Sequence, residues 1–253
     1  MNKLSLVVVT LNEEANIVNC LRSVPFADEI VVLDSHSTDR TIELARTFTD
    51  KVYETDFEGY GKLKRDAVEL TSGDWILSLD ADERVSPELA EEIIRALRAE
   101  EGCEGYLIPR RTRFLGHWMS HGGWYPDHVL RLFRKSSGEF TDSLVHEKVR
   151  VRGKVGKLRS DLFHYSDPDF KHYLRKLDRF TSLSAQALYL AGRGTGLADL
   201  TLRPMVMFFK MYFLKRGFLD GVHGLILALM SSVHVLVKYV KLWEKRSANL
   251  NAG

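Results

Sequence analysis

Cysteine is scarce: Cys20 and Cys103 are the whole complement in 253 residues. They stand far apart, in neither a CxxC nor a metal-ligand spacing, so no disulfide framework or thiolate zinc site is expected and a reducing compartment is the simplest setting. Net charge is equally thin. The 36 Lys and Arg exceed the 34 Asp and Glu by only two, which gives no ground for nucleic-acid binding by the whole molecule. Repeats and low-complexity tracts are missing, and a chain with 45% hydrophobic and 28% charged residues has the composition of folded protein. The apolar residues 1–11 run straight into Asn12-Glu13-Glu14 without a small-residue cleavage site, so a first strand is expected there rather than an export signal. The longest uncharged apolar stretch, residues 225–237, falls short of the roughly 20 residues that cross a bilayer core.

What is present is an alternation of strand and helix patterns. Strands are expected over residues 4–10, 29–34, 51–55 and 75–80. Between them the spacing predicts a helix capped by Asn12 and running to about residue 24, a second over 38–48, and a third carrying Leu63, Ala67, Val68 and Leu70. Ser86-Pro87 supplies an N-cap residue and a first-turn proline for a helix reaching about residue 99. This order calls for a parallel sheet with crossover helices. From 105 to about 165 short β-like runs broken by glycines predict a mixed or antiparallel part of the same sheet. Helices follow over 169–190, 203–215 and 219–246, with a break at 192–196. The length suits one α/β domain, residues 1–168, with a helical extension over 169–253.

In open α/β sheets ligands sit beyond the carboxyl ends of the strands. Three early strands end there in polar residues: Thr10 and Asn12, Asp34 with Ser35, and Asp80 with Asp82. Carboxylates gathered at one place repel unless a cation or hydrogen-bond donors offset them. Two of them one residue apart in Leu79-Asp80-Ala81-Asp82-Glu83 can share a hard divalent cation that keeps positions open for phosphate oxygens. The first turn, Thr10-Leu11-Asn12-Glu13-Glu14, has no glycine, which excludes a Rossmann dinucleotide site and weakens a nucleotidyltransferase reading. His117, His121, His128 and His146 fit no zinc spacing.

These segments resemble family 2 glycosyltransferases of the GT-A fold. Residues 7–14, Val-Val-Val-Thr-Leu-Asn-Glu-Glu, are similar to the family's opening strand and turn; residues 32–39, Val-Leu-Asp-Ser-His-Ser-Thr-Asp, to its second-strand motif; and residues 79–83 to its metal-binding DxD. Closer resemblance is to the subgroup that adds glucose to the inner core of lipopolysaccharide, through Gly122-Gly123-Trp124-Tyr125-Pro126-Asp127, Arg131-Leu132-Phe133-Arg134-Lys135, Val145-His146-Glu147, His164-Tyr165 and Gly217-Phe218-Leu219-Asp220-Gly221. The chain departs from the pattern at Ser35, where many members carry a second aspartate, at His36, often a glycine, and at Asp66, usually an asparagine in the subgroup.

The resemblance implies a GT-A mixed sheet flanked by helices, with a C-terminal helical extension. It implies inverting transfer of a sugar, glucose from UDP-glucose, onto a hydroxyl of a glycolipid or saccharide acceptor, with Mg²⁺ or Mn²⁺ as cofactor. Asp80, Asp82 and His164 are the implied metal site, and Thr10, Asn12, Glu13, Asp34, Lys64, Arg65 and Asp80 the implied donor site. Glu147 is the implied base, with Asp127 as the second choice; Trp124, Tyr125, Arg131 and His146 face the acceptor. A polyprenyl-phosphate sugar synthase and a non-catalytic nucleotide-binding module are the rival readings. Apolar segments 205–209 and 225–237, flanked by Arg203, Lys210, Lys215, Arg216, Lys238, Lys241, Lys245 and Arg246, suit either an interfacial seat on the inner face of the plasma membrane or packing against protein, including a second subunit.

Overall fold

A computed structural model describes residues 2–99, 102–141 and 148–250. The chain forms two compact units, one of residues 1–111 with 127–165 and the other of 112–126 with 166–253. In the first unit, β1 (Leu4–Thr10) is buried along its whole length, Ser5 and Thr10 included, as its largely apolar sequence suits in a strand covered on both faces. It lies between β2 (Glu29–Asp34) and β4 (Trp75–Asp80), parallel to both, with β3 (Val52–Glu54) outside β2. The registers pair Thr10 with Asp34 and Val9 with Asp80, so the polar ends of three strands finish at one level. The sheet continues through β8 (Asp127–Arg134), β6 (Cys103–Phe114) and β12 (Leu162–Asp167) to β5 (Glu83–Val85), with β11 (Lys154–Lys157) also against β6. A separate ladder joins β9 (Gly138–Phe140) to β10 (Val149–Val151).

Alternate residues of β1 serve different helices. Leu4, Leu6 and Val8 pack with Ile17 and Leu21 of α1 (Ile17–Arg22) and with Leu89 and Ile93 of α4 (Pro87–Arg98). Val7 and Val9 pack on the other face with Leu63 and Ala67 of α3 (Tyr60–Glu69). Each such side chain taken from water contributes about 1.5–3 kcal/mol. α4 starts as its sequence predicts: Ser86 Oγ accepts from the Leu89 amide at 3.1 Å, and Pro87 occupies the first helical position.

Two helix expectations need correction. α1 begins at Ile17 rather than beside Asn12, and α2 covers only Thr41–Ala45. Asn12 has φ 56°, a left-handed conformation that asparagine tolerates better than most residues. Its side chain accepts from the Thr38 amide at 2.8 Å instead of capping its own helix. The amides of Asn12, Glu13 and Glu14 donate to Ser37 Oγ, Thr41 Oγ1 and Asp39 Oδ2, so the turn after β1 is tied to the turn after β2 and is not free to coil.

In the second unit the outer end of β6 pairs with β7 (His117–Trp118), and Phe114 and Met119 are buried with Met211 and Leu227. α5 (Phe170–Leu190) is capped by Asp169, which accepts from the His172 amide at 2.7 Å. α6 (Leu197–Leu200) and α7 (Leu202–Phe209) follow; α7 runs into a π-helical turn (Lys210–Leu214), then a 3₁₀ turn (Gly217–Asp220) and the long α8 (Gly221–Leu250). Asp220 anchors the segment after β7, accepting from the His121 amide at 2.8 Å and facing its Nδ1 at 3.0 Å. Gly224 is required where α8 passes the 3₁₀ turn, because a Cβ there would sit 1.8 Å from the Gly217 carbonyl oxygen. The uncharged stretch 225–237 is too short by itself to span a bilayer, but the helical segment Gly217–Ala248 is long and apolar enough by length and composition alone, since α8 continues through Lys238 and Lys241.

Candidate active site

At the carboxyl end of β4 a network of charges replaces the simple acidic cluster expected from sequence. Lys64, on the buried face of α3 and only 1% exposed, places its Nζ 2.7 Å from Asp80 Oδ1. Arg131, on β8, donates to Asp80 Oδ2 and lies 2.7 Å from Glu83 Oε1. Arg110 on β6 reaches the same Glu83 oxygen at 3.1 Å and holds Asp127 through Nε and Nη2 at 3.1 and 2.6 Å. The β6–β8 register sets Arg110 opposite Asp127. Three cations thus face three carboxylates. Glu83 is fully buried, and such a group is tolerated only because it is paired.

Burial works to raise the Asp80 pKa, but Arg131 and Lys64 overcome it and hold this carboxyl well below the usual carboxylate range. Burial likewise disfavours the charge on Arg110, and Glu83 and Asp127 reverse that effect and raise its pKa. Asp80 and Arg110 are thus both held in their charged forms by the opposite charges around them.

Asp82 meets a histidine from β12. The antiparallel β5–β12 ladder sets His164 opposite Glu83, which brings His164 Nε2 to 3.3 Å from Asp82 Oδ2. The Tyr165 amide donates to the Asp82 carbonyl at 2.8 Å, and the Arg84 guanidinium lies 3.7 Å from the centre of the Tyr165 ring. The two aspartates differ in what they can offer a cation. Both oxygens of Asp80 already face an ammonium and a guanidinium. Asp82 and His164 present an oxygen and a nitrogen at the separation of about 3 Å that neighbouring ligands take around a small octahedral ion. Among the described residues no three His, Cys, Asp or Glu side chains converge as a metal cage, so an ion on this pair would complete its shell with ligand and water oxygens.

Thr10 and Asp34, at the ends of β1 and β2, are buried and bonded to each other, Oγ1 to Oδ2, at 2.5 Å. Asp34 also accepts from the Ser37 amide and hydroxyl, each at 2.6 Å. His36, at the place where a glycine is common, has φ 61°, the backbone region in which glycine is the least strained residue. Its ring lies 3.0 Å from Asp56 and 3.6 Å from Glu54. Asn12 and Glu13 belong to the tied turns described above. Arg65 is half-buried and donates to the Phe140 carbonyl at 3.4 Å.

Of the acceptor residues, Arg131 is in the network and Trp124 belongs to the second unit, where its ring meets Phe114 edge-on with centroids 5.7 Å apart. Tyr125 is half-buried in that unit. His146 and Glu147 lie outside the described residues. Sequence reasoning passed over Arg110 and Glu83. A signal for Arg110 was present: it shares the period-two face of β6 with buried Tyr106 and Ile108, where an arginine needs a carboxylate partner.

A mixed sheet, parallel from β3 to β4 and antiparallel where β8, β6 and β5–β12 pair, whose polar strand ends hold a charged cluster and an Asp–His pair, defines an α/β enzyme fold with its ligand site beyond the strand ends. Residues 5–152 match the glycosyl transferase family 2 description. The chain belongs to this family and is a glycosyltransferase of the GT-A fold. It is 29% identical to the lipopolysaccharide core biosynthesis glycosyltransferase LpsC of Rhizobium meliloti, over 96% of this chain and 93% of that protein. It is 30% identical to an uncharacterized glycosyltransferase of Rickettsia typhi, over 96% and 88%. Among solved structures, glucosyl-3-phosphoglycerate synthase from Mycobacterium tuberculosis, crystallised with Mn²⁺, UDP-glucose and glycerol 3-phosphate, is 28% identical with a TM-score of 0.38. That match covers 44% of this chain and 45% of that one, less than half the length of either.

Proposed function

We propose that this enzyme transfers glucose from UDP-glucose, with inversion, to a hydroxyl of a glycolipid of the lipopolysaccharide-core type, using Mg²⁺ or Mn²⁺. The observation that carries the reading is the Asp82–His164 pair, 3.3 Å apart beside the Lys64–Asp80–Arg131 cluster. Asp82 and His164 are the proposed metal-holding residues; a bound divalent ion supplies positive charge to the departing diphosphate. Asp80, fixed from both sides, is the rigid acceptor for a donor hydroxyl, and Thr10, Asn12, Glu13, Asp34, Lys64 and Arg65 form the remainder of the proposed donor side. Lys64 and Arg131 act there through Asp80, setting its charge and position. Similarity to LpsC over nearly the whole chain supports the glycolipid acceptor.

The base is Glu147, and Asp127, already gripped by Arg110, is the second choice. In the transfer, the acceptor oxygen bonds to the anomeric carbon while the bond from that carbon to the diphosphate oxygen breaks. The hydroxyl proton passes to the carboxylate, and the leaving group departs with the electron pair. Trp124, Tyr125, Arg131 and His146 are the proposed acceptor contacts. The setting is the cytoplasm, at the inner membrane face. Phe209, Phe213, Leu214, Leu219 and Val222 are each at least 50% exposed in the helical unit, interleaved with Lys210, Lys215 and Arg216, as an anionic headgroup boundary favours.

Transfer from radiolabelled UDP-glucose to a deacylated core acceptor, with polyprenyl phosphate in a parallel reaction, tests this reading. Labelled core saccharide with released UDP is expected; label found only in the polyprenyl product would establish the rival synthase. Glu147→Gln is expected to retain donor affinity in calorimetry and to lose about 10²–10⁴-fold in transfer rate. Undiminished turnover by this variant moves the base to another carboxylate.

A further inference from the structure

The helical unit contains a cavity of about 410 Å³ between α5, α7, α8 and the segment that follows β7. Its volume lies in the range of small-molecule sites, about 300–1,000 Å³. Its walls are mainly hydrocarbon and aromatic, with Trp124, Leu177, Phe180, Met207, Met211 and Val235 among them. Methionine and aromatic side chains adapt to a flexible apolar guest better than branched ones do.

The polar groups on the lining are unequally satisfied. Asp167, 4% exposed, accepts from Ser166 Oγ at 2.8 Å and faces His172 Nδ1 at 3.4 Å and Lys176 Nζ at 3.9 Å. Lys176 in turn donates to Ser166 Oγ at 2.9 Å. The negative charge of Asp167 is thus met locally, and Lys176 is spent in meeting it. Lys238 is different. Among the described residues its partner is the face of the neighbouring Tyr239 ring, 4.9 Å away, and no carboxylate pairs with it at ion-pair distance. Burial, with the nearby Arg203 charge adding to it, lowers the Lys238 pKa. An ammonium in this position gains from an anion brought into the cavity, where the local dielectric makes the attraction stronger than in water.

We infer that this cavity binds an anionic amphiphile, with a hydrocarbon chain among Trp124, Phe180, Met207 and Met211 and a phosphate or carboxylate head on Lys238. Shape and charge argue together. A nucleotide sugar would set many hydroxyls and a purine or pyrimidine against the hydrocarbon and aromatic part of the lining, which a single chain of methylene groups matches. A neutral amphiphile would leave Lys238 with only the more distant Asp199 charge and no ion-pair partner among the described residues, and a free phosphate would leave the apolar walls in water. Trp124 is also a proposed acceptor contact, but the binding step needs neither nucleotide nor metal, so it stands or falls separately from glucose transfer.

Dodecyl phosphate, dodecyl maltoside and inorganic phosphate, all below micellar concentration, would be titrated into the full-length chain without detergent, reading calorimetric heat and tryptophan fluorescence. Saturable binding of dodecyl phosphate at one per chain is expected, at least 10-fold tighter than the maltoside, with inorganic phosphate failing to compete. Lys238→Gln should cost at least 10-fold in affinity for dodecyl phosphate and leave the maltoside unchanged. Ser231→Trp, which fills the cavity from α8, should abolish binding of both amphiphiles; if that variant misfolds by its melting curve, Lys238→Gln decides alone. Equal affinity for the charged and neutral amphiphiles, indifference to Lys238→Gln, saturation by inorganic phosphate, or no saturable binding would each overturn the inference. Amphiphile binding retained by Glu147→Gln while transfer is lost would separate the two proposals.

Discussion

Asp82→Ala is expected to lower kcat/KM for transfer by about 10²–10³-fold, the scale on which one preorganised charge-stabilising contact acts, and to remove the dependence of donor binding on Mn²⁺. Asp80 is already occupied by Lys64 and Arg131, whereas Asp82 is joined to His164 by the β5–β12 register. A cation seated there would take a carboxylate oxygen of Asp82 and an imidazole nitrogen of His164 as its protein ligands, so losing the carboxylate would remove the anionic member of this pair. His164→Ala should cost less, about 10–100-fold, the range seen when ligand surroundings are altered. Isothermal calorimetry of UDP-glucose with Mn²⁺ and with chelator checks both variants, and a melting curve of each separates loss of metal from loss of fold. Equal donor affinity in the two buffers for wild type and Asp82→Ala would contradict the assignment.

Arg131→Met is expected to destabilise the protein by about 3–5 kcal/mol, the cost of removing one partner from a buried ion pair, which for a chain of this size lowers Tm by on the order of 10 °C. The guanidinium is 7% exposed and bridges Asp80 to Glu83, whose carboxylate is fully buried. Without it, Glu83 keeps Arg110 at 3.1 Å and the Asp80 amide at 3.0 Å, and Asp80 keeps Lys64 as its ion-pair partner among the described residues. Adding Glu83→Gln to Arg131→Met should recover part of the loss, because the unpaired charge is then gone. The pH dependence follows from the depressed Asp80 pKa. Its stabilising contribution is complete above the ordinary aspartate pKa and is lost as pH falls through the lower folded value, because the unfolded chain binds the proton first. Arg131→Met should therefore flatten the rise of stability with pH just below the ordinary aspartate value. A Tm within about 2 °C of wild type, with an unchanged acid limb, would show that the network contributes little to folding.

The parts of the fold legible in the sequence are those set by local pattern. β1, β2 and β4 are apolar runs of the right length, and α4 carries its Ser-Pro start on the surface of the text. The error at Asn12 came from an equally local rule that lost to longer-range bonds: its cap oxygen is taken by Thr38, 26 residues on. The site was half legible for the same reason. Asp80 and Asp82 stand out as a short motif, yet nothing nearby in sequence says that one is clamped by cations from α3 and β8 while the other meets a histidine from β12. Lys64 reads as a solvated helix charge because its neighbours Lys62, Arg65 and Asp66 are polar; only the seating of α3 on the sheet reveals that it is buried. The packing of residues 112–126 with the C-terminal helices is likewise set by contacts such as Asp220 with His121, 99 residues apart. No periodicity announces such a pairing.

Metal-dependent recognition of a nucleoside diphosphate sugar underlies the functional account, and thermal denaturation of the unmodified protein measures it most directly. A ligand at 100 times its Kd stabilises the native state by about 2.7 kcal/mol, a rise in Tm of roughly 5–10 °C at this chain length. UDP-glucose with Mn²⁺ should produce that rise, and chelator should remove most of it. A panel in which no nucleoside diphosphate sugar shifts the Tm, or in which the shift is the same with Mn²⁺ and with chelator, would contradict the account.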